Sequence, residues 1–159
     1  MVHVVIRRAA RADIPAVARL CVNLAVLEGK MLGREPNRYE VRARTQREIL
    51  FDDTCAYFVA EADGKIAGVI KVADKGNGLG KISESYVLTR FRRKGIMTLL
   101  FAAALKWARA RRVRRLYLTV VASNGKAVHF WKNLGFIPER ATESGMLRMS
   151  RPISMVIAG

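Results

Sequence analysis

Apolar and polar residues alternate from His3 to Ala9 (HVVIRRA), a two-residue period that predicts a first strand. From Ala12 to Lys30 (ADIPAVARLCVNLAVLEGK) the apolar positions recur at helical spacing. Asp13, just before Ile14-Pro15, is expected to cap that helix, because its carboxylate can accept free N–H groups and proline is tolerated in a first turn. Met31 to Glu40 carries Gly33 and Pro36 and reads as a polar loop placed to lie over a site; a helical period resumes over Val41–Phe51. Two β-rich runs flank Ala62-Asp63-Gly64 between Cys55 and Ala73, which predicts a hairpin. After a turn over Asp74–Lys81 come a strand at Ile82–Leu88, an apolar-faced helix at Gly95–Ala110, a strand at Arg114–Ala122 and a short helix at Asn124–Leu134. Gly135 is expected to end that helix in the left-handed conformation. Two strands, within 135–139 and 146–157, close the chain around Ala141–Gly145. The expected order is β-α-α-β-β-β-α-β-α-β-β, an α/β (α+β) arrangement without repeat or linker.

The chain of 159 residues fits one domain, 1–159. At 51% hydrophobic and 26% charged residues it has the composition of a globular protein. The opening residues enter strand alternation at once, without an export leader. The longest nearly apolar run, Ile96–Leu105, is about half of what a spanning helix needs, so no membrane span is expected. Cys21 and Cys55 are too few for a disulfide framework and lack metal-ligand spacing; both read as core thiols, no metal is expected, and the reducing cytoplasm is the expected location.

The net charge is +16, from 20 Arg and 9 Lys against 13 acidic residues. Such a surface attracts polyanions: nucleic acid, acidic membranes, acidic proteins or phosphorylated small molecules. Between Arg90 and Arg115 stand ten Lys or Arg and no Asp or Glu. The later part, KWARARRVRR, reads as a solvated helix face or as a docking face for an acidic or nucleic-acid-associated partner.

The earlier part, RFRRKGIMTLLF, sits where a strand gives way to an amphipathic helix. A helix N-terminus leaves about four backbone N–H groups without partners and carries partial positive charge, so it can hold an anion. Arg92, Arg93 and Lys94 add full charges, and Gly95 lets a bulky anion such as a diphosphate approach the main chain. The cluster Gly76, Gly78, Gly80 and Lys81 is not such a cradle, because a strand follows it where phosphate binding needs a helix.

The R-x-x-G-x-[GA] spacing, with Met97 at its last small position, is followed downstream by Asn124, Ala127, Phe130-Trp131 and Leu134-Gly135-Phe136, an N-x-x-A-x-x-F-[YW]-x-x-L-G-F pattern. Together with the element order these motifs resemble the GNAT superfamily of acyl-CoA-dependent N-acetyltransferases, most strongly from Ile82 to Phe136. The resemblance implies a mixed, strongly twisted sheet of about seven strands flanked by four helices and splayed between its fourth and fifth strands, here about Ile82–Leu88 and Leu116–Val121. It places acetyl-CoA in that cleft: Ser85, Tyr86 and Val87 pair with the pantetheine and thioester, and Arg92, Arg93, Lys94, Gly95, Ile96, Met97 and Thr98 wrap the diphosphate. Asn124 with Ala127 meets the pantetheine arm, and Phe130 and Trp131 lie near the sulfur. Trp131 stands where the family often carries a tyrosine that protonates the departing thiolate, a proton an indole does not supply. A thiolate whose acid has a pKa near 8.5 still leaves tolerably.

The implied activity is transfer of an acetyl group to a primary amine, of a small molecule or a protein, by direct attack in a ternary complex. Glu84, the only carboxylate from Lys75 to Pro138, is the candidate base, and pairing with one of the many arginines is its alternative role. Tyr86 is expected on the same strand face by the two-residue period, placed to order a water, and its N–H is expected to polarise the carbonyl. Glu28, Glu35, Glu40 and Glu143 are either surface charges or anchors for a cationic acceptor, and His129 is a second candidate base. A different class of function, a basic nucleic-acid or ribosome-associated binding module with a vestigial CoA site, also fits the charge. A homodimer is the base-rate expectation.

Overall fold

The computed structural model describes residues 3–154. The elements are β1 (Val4–Arg8), α1 (Ile14–Leu32), α2 (Arg38–Phe51), β2 (Cys55–Ala62), β3 (Lys65–Asp74), β4 (Leu79–Val87), α3 (Ile96–Ala110), β5 (Arg115–Val121), α4 (Gly125–Asn133), β6 (Ile137–Ala141) and β7 (Met146–Pro152). They follow the expected order, with single 3₁₀ turns before α1 and α3. The last three residues of the expected final strand, 155–157, lie outside the described residues.

Local chemistry explains most boundaries. Asp63 and Gly64 take positive φ, 51° and 74°, and close the β2–β3 hairpin. Gly135 (φ 93°) follows α4, where the Phe136 N–H bonds the Trp131 carbonyl at 3.0 Å and the Gly135 N–H bonds Lys132 at 2.9 Å, a Schellman termination. Two expectations are corrected. The loop after α1 is shorter than the polar stretch suggests: Asn37 Oδ1 accepts the Glu40 N–H at 3.0 Å, so α2 starts at Arg38. Gly29 lets this connection turn tightly, since a Cβ there would run into the Arg34 carbonyl. Asp13, at the N-cap position of α1, bonds none of its N–H groups. Its carboxylate reaches back to the Ala10 N–H at 2.7 Å and clamps the Arg7 guanidinium at 2.6 and 2.9 Å, because the 3₁₀ turn and β1 bring stronger donors within reach.

The strands form one sheet in the order β1-β2-β3-β4-β5-β7-β6, antiparallel except for the parallel β4–β5 pair. Two clusters bury its faces. On one face α3 lays Ile96, Leu100, Phe101, Ala104, Leu105 and Ala108 against Ile70, Val72, Ile82, Leu116 and Leu118. On the other, Val17, Leu20, Cys21 and Val41 of α1 and α2 cover Tyr57, Val59 and Val69.

The β4–β5 pairing is short. Only Leu79–Lys81 and Arg115–Tyr117 are in register, and beyond them the strands part. Gly80 permits the close approach at the joined end, where a Cβ would lie 2.9 Å from a methyl of Val113 and 3.0 Å from one of Leu116. Three residues past the last pair, β4 bulges: Ser83 opposes Lys71 and Tyr86 opposes Val69, so Glu84 and Ser85 share one partner position. A bulge bends and twists its strand, which turns β4 away from β5. The sheet is therefore a V closed at Lys81–Tyr117 and open toward the C-terminal ends of both strands.

Candidate active site

The open half of the V ends at the start of α3. Gly95 is the N-cap residue, with φ 75°, and no side chain caps the helix. Leu99 is the first residue whose N–H returns to the turn, to Gly95 at 3.2 Å, so the N–H groups of Ile96, Met97 and Thr98 face outward with the positive end of the helix dipole. Among the described residues nothing lies within 4 Å of where a Cβ on Gly95 would stand, so the space before these amides is open to them. Arg92, Arg93, Lys94 and Gly95 are exposed around it, and Arg93 also has positive φ, 62°. Arg92 folds back: its Nε donates to the Val87 carbonyl at 2.8 Å and its guanidinium lies 5.3 Å from the Tyr86 ring. The preceding turn thereby fastens to the end of β4. Half-buried Met97 packs against the core, which removes its bulk from the cradle.

In β4 the Leu88 N–H bonds Ala67 of β3 at 2.8 Å. Backbone groups alternate sides along a strand, so Tyr86 also turns to β3, where Val69 is its partner, and Ser85 and Val87 turn to the cleft. The Tyr86 N–H is therefore not the amide that faces the cleft; the Val87 N–H is.

Glu84 is the bulge residue and carries φ 50°, a left-handed conformation that disfavours side chains larger than hydrogen. This rotation, not the two-residue period, brings its carboxylate to the α1–α2 side of the sheet, where Tyr86 also packs. Glu84 Oε1 accepts from Arg44 of α2 at 3.0 Å, with the Glu84 side chain 15% exposed. Arg44 is not legible from the sequence, since nothing in the periodicity of α2 separates it from Arg38, Arg42 or Arg47.

Glu84 has acidic neighbours. Burial raises the pKa of Glu28 above the usual carboxylate range, the Glu84 charge adds to the shift, and Arg34 opposes it. Burial likewise pushes the Cys21 thiol up, with the Glu84 charge reinforcing it. Cys55 is raised to about 11, mainly by burial, so both cysteines stay protonated and neither is poised as a nucleophile. Glu28 and Glu35, with Arg34, Ala25, Leu32 and Pro36, line a cavity of about 290 Å³ at the α1–α2 connection. Glu40 and Glu143 are exposed and do not line it.

The downstream motif divides. Asn124 caps α4, its Oδ1 accepting the Ala127 N–H at 3.3 Å, which leaves its amide NH₂ for another partner. Trp131 is 4% exposed and packs edge-on to Phe130, Phe136 and Phe101 at centroid distances of 5.0, 5.5 and 5.9 Å. Its ring is core, and only half-buried Phe130 remains toward the surface. His129 is exposed on α4, 3.2 Å from Asn133 and remote in sequence from the bulge. Among the described residues Glu48, Asp52 and Cys55 converge with ligating atoms within 4.8 Å. Lys71 already lies 2.6 Å from Glu48 and supplies the positive charge there.

Residues 23–136, which span both the open V and the α3 cradle, match the acetyltransferase (GNAT) family. The chain belongs to the GNAT family. Among curated GNAT relatives, an uncharacterised N-acetyltransferase of Methanocaldococcus jannaschii is 33% identical over 107 residues, covering 64% of this chain and 47% of its own length. An N-alpha-acetyltransferase of Sulfurisphaera tokodaii is 33% identical over 101 residues, covering 56% of this chain and 60% of its own. The chain thus spans roughly half the length of these relatives. The GNAT fold is also that of the PaiA N-acetyltransferase of Thermoplasma acidophilum solved with coenzyme A: TM-score 0.76, 17% identity, 94% of this chain and 99% of the other. Among the described residues no helix is long and apolar enough to cross a membrane.

Proposed function

We propose that this protein is an N-acetyltransferase that passes an acetyl group from acetyl-CoA to a primary amine, of a small molecule or a protein, by direct attack in a ternary complex. The observation that carries the reading is the parting of β4 and β5 beyond Lys81–Tyr117 beside the uncapped start of α3. An extended thiol arm fits between the strands, and its diphosphate meets free amides ringed by Arg92, Arg93 and Lys94.

Acetyl-CoA supplies the activated acyl group. The protein supplies position and charge. The cleft-facing backbone of Ser85 pairs with the pantetheine, and the N–H of Val87, whose carbonyl Arg92 holds, is the donor aimed at the acyl carbonyl. The N–H groups of Ile96, Met97 and Thr98 hold the diphosphate, with Gly95 leaving room for it, and the Asn124 amide and Phe130 edge the arm. Glu84, fixed at the mouth of the V by the bulge and Arg44, removes a proton from the incoming ammonium so that the neutral amine attacks. Tyr86 orders the water through which that proton leaves. Trp131 contributes by packing, and the thiolate departs without a dedicated acid. The cavity lined by Glu28 and Glu35 opens at the connection whose helices flank Glu84 and suits a cationic acceptor.

The test is acetyl-CoA consumption, read as thiol release, over a panel of amines; peptides with free N-termini come first because one relative is named for that substrate class. Amine-dependent release, with stoichiometric acetyl-CoA binding, is expected. Absence of calorimetric binding to acetyl-CoA refutes the reading and leaves the basic surface as the functional feature.

A further inference from the structure

The cations around α3 divide between its two ends. Arg92, Arg93 and Lys94 precede it, whereas Lys106, Arg109, Arg111, Arg112, Arg114 and Arg115 gather where it stops and β5 begins. Fifteen helical residues rise about 22 Å, more than two Debye lengths at physiological salt, so a diphosphate at Gly95 does not use the second group. All six are exposed. Only Arg111 has a carboxylate partner, Asp74 at 3.2 Å; among the described residues the other five have none. Arg109 and Arg115 hydrogen-bond the neutral Ile153 carbonyl and Ser150 hydroxyl, and the Glu139 carboxylate feels Arg115 at longer range. The β3–β4 turn abuts them, its Gly78 carbonyl accepting the Arg114 and Arg115 N–H groups at 2.7 and 3.1 Å, and it adds exposed Lys75.

The backbone supplies an independent sign. Arg112 has φ 62° at the Schellman end of α3, where the Val113 N–H bonds Ala108 and the Arg112 N–H bonds Arg109, each at 3.0 Å. Glycine takes this conformation freely, and any L side chain is strained in it. The sequence keeps a cation at the tip of the cluster against that preference.

Two aromatic rings flank the cluster, one on each face of the sheet, since Trp107 is on α3 and Tyr117 points away from the α3-side core that holds Leu116 and Leu118. Half-buried Trp107 has the Arg111 guanidinium 4.8 Å from its ring centre, and half-buried Tyr117 lies between Arg148 at 3.9 Å and Lys81 at 5.8 Å. Guanidinium forks match phosphate geometry, and the cations already seated over these rings leave phosphates as the groups the surface grips. The charges crown a helix end and a strand start rather than a free helix face, so they do not suit insertion into a duplex major groove. We propose that the closed end of the V is a docking surface for single-stranded RNA, whose flexible phosphate backbone can follow charges set around a helix end where a stiff duplex cannot. The acetyl-transfer site at the open end and this surface act at opposite poles of one sheet.

Fluorescence anisotropy with a labelled, unstructured RNA oligonucleotide tests this on the full chain. Five phosphate contacts to a single strand give a salt slope of about −3.5, so affinity falls about 100-fold between about 50 and about 200 mM salt. Lys106→Ala/Arg112→Ala/Arg114→Ala removes about 2 from the slope, shrinking that fall to about 7-fold, with acetyl-CoA binding and the melting transition preserved. The control Arg92→Ala/Arg93→Ala/Lys94→Ala carries the same change in net charge; it keeps RNA binding and loses acetyl-CoA affinity. The proposal is overturned if the two triple variants lose RNA equally, if duplex DNA or polyglutamate binds as tightly as the RNA, or if no RNA binds at low salt.

Discussion

Gly95 performs two tasks that substitution can separate. Its φ of 75° places the residue in the left-handed region, and the open space beyond its missing Cβ is the proposed seat of a diphosphate. Gly95→Ala isolates the backbone: with no neighbour to collide with, its cost to folding is the left-handed strain alone, about 1–2 kcal/mol. Gly95→Asn tolerates that conformation better and can cap the helix, so it should be the more stable variant. Gly95→Asp has nearly the shape of Asn and adds one negative charge. A charge pair at 4 Å is worth about 1 kcal/mol in water, so two phosphate charges should weaken acetyl-CoA binding by about 2 kcal/mol, or roughly 30-fold, relative to Asn. Calorimetric titration of all three variants, with thermal melts alongside, resolves the terms. Equal acetyl-CoA affinity of the Asp and Asn variants at low salt refutes the cradle, whatever their stabilities.

Glu84→Gln should lower the transfer rate about 10²- to 10⁴-fold with acetyl-CoA affinity unchanged; a lower melting temperature with an unchanged rate would assign Glu84 to its Arg44 pair alone. Arg7 hydrogen bonds hold the Asp13 carboxyl below the usual range against an opposing effect of burial. Its contribution is therefore present above the unfolded carboxylate value of about 3.9 and lost as pH falls through the lower folded value. Asp13→Asn should cost roughly 1–2 kcal/mol at neutral pH and flatten the fall of melting temperature below about pH 4, measured by calorimetry across pH. Arg112→Gly should relieve about 1 kcal/mol of strain and raise the melting temperature by about 2–4 °C while weakening RNA binding; a lower melting temperature would remove the strain argument.

Features that depend on neighbours within a turn or a strand are legible along the chain. The 3.6- and 2-residue periods gave the element order, Asp63-Gly64 and Gly135 gave their turns, and Gly95 marked the strand-to-helix junction, because these properties reside in local φ, ψ and side-chain spacing. Caps are not fixed along the chain for a related reason: a polar side chain takes the best donor in reach, which for Asn37 is the first turn of α2 and for Asp13 is Arg7 on β1.

Tertiary structure decided the site. The join of β4 to β5 depends on Gly80 fitting against Val113 and Leu116, and their parting follows from the bulge at Glu84, which depends on the register β4 shares with β3. That one extra residue swings Glu84 toward Arg44 of α2, forty positions away in sequence, and decides that the amide of Val87 rather than Tyr86 faces the cleft. Register between strands is fixed by the total burial of both faces, a quantity summed over distant residues. Periodicity along one segment therefore names the strand but not which of its groups face the cleft.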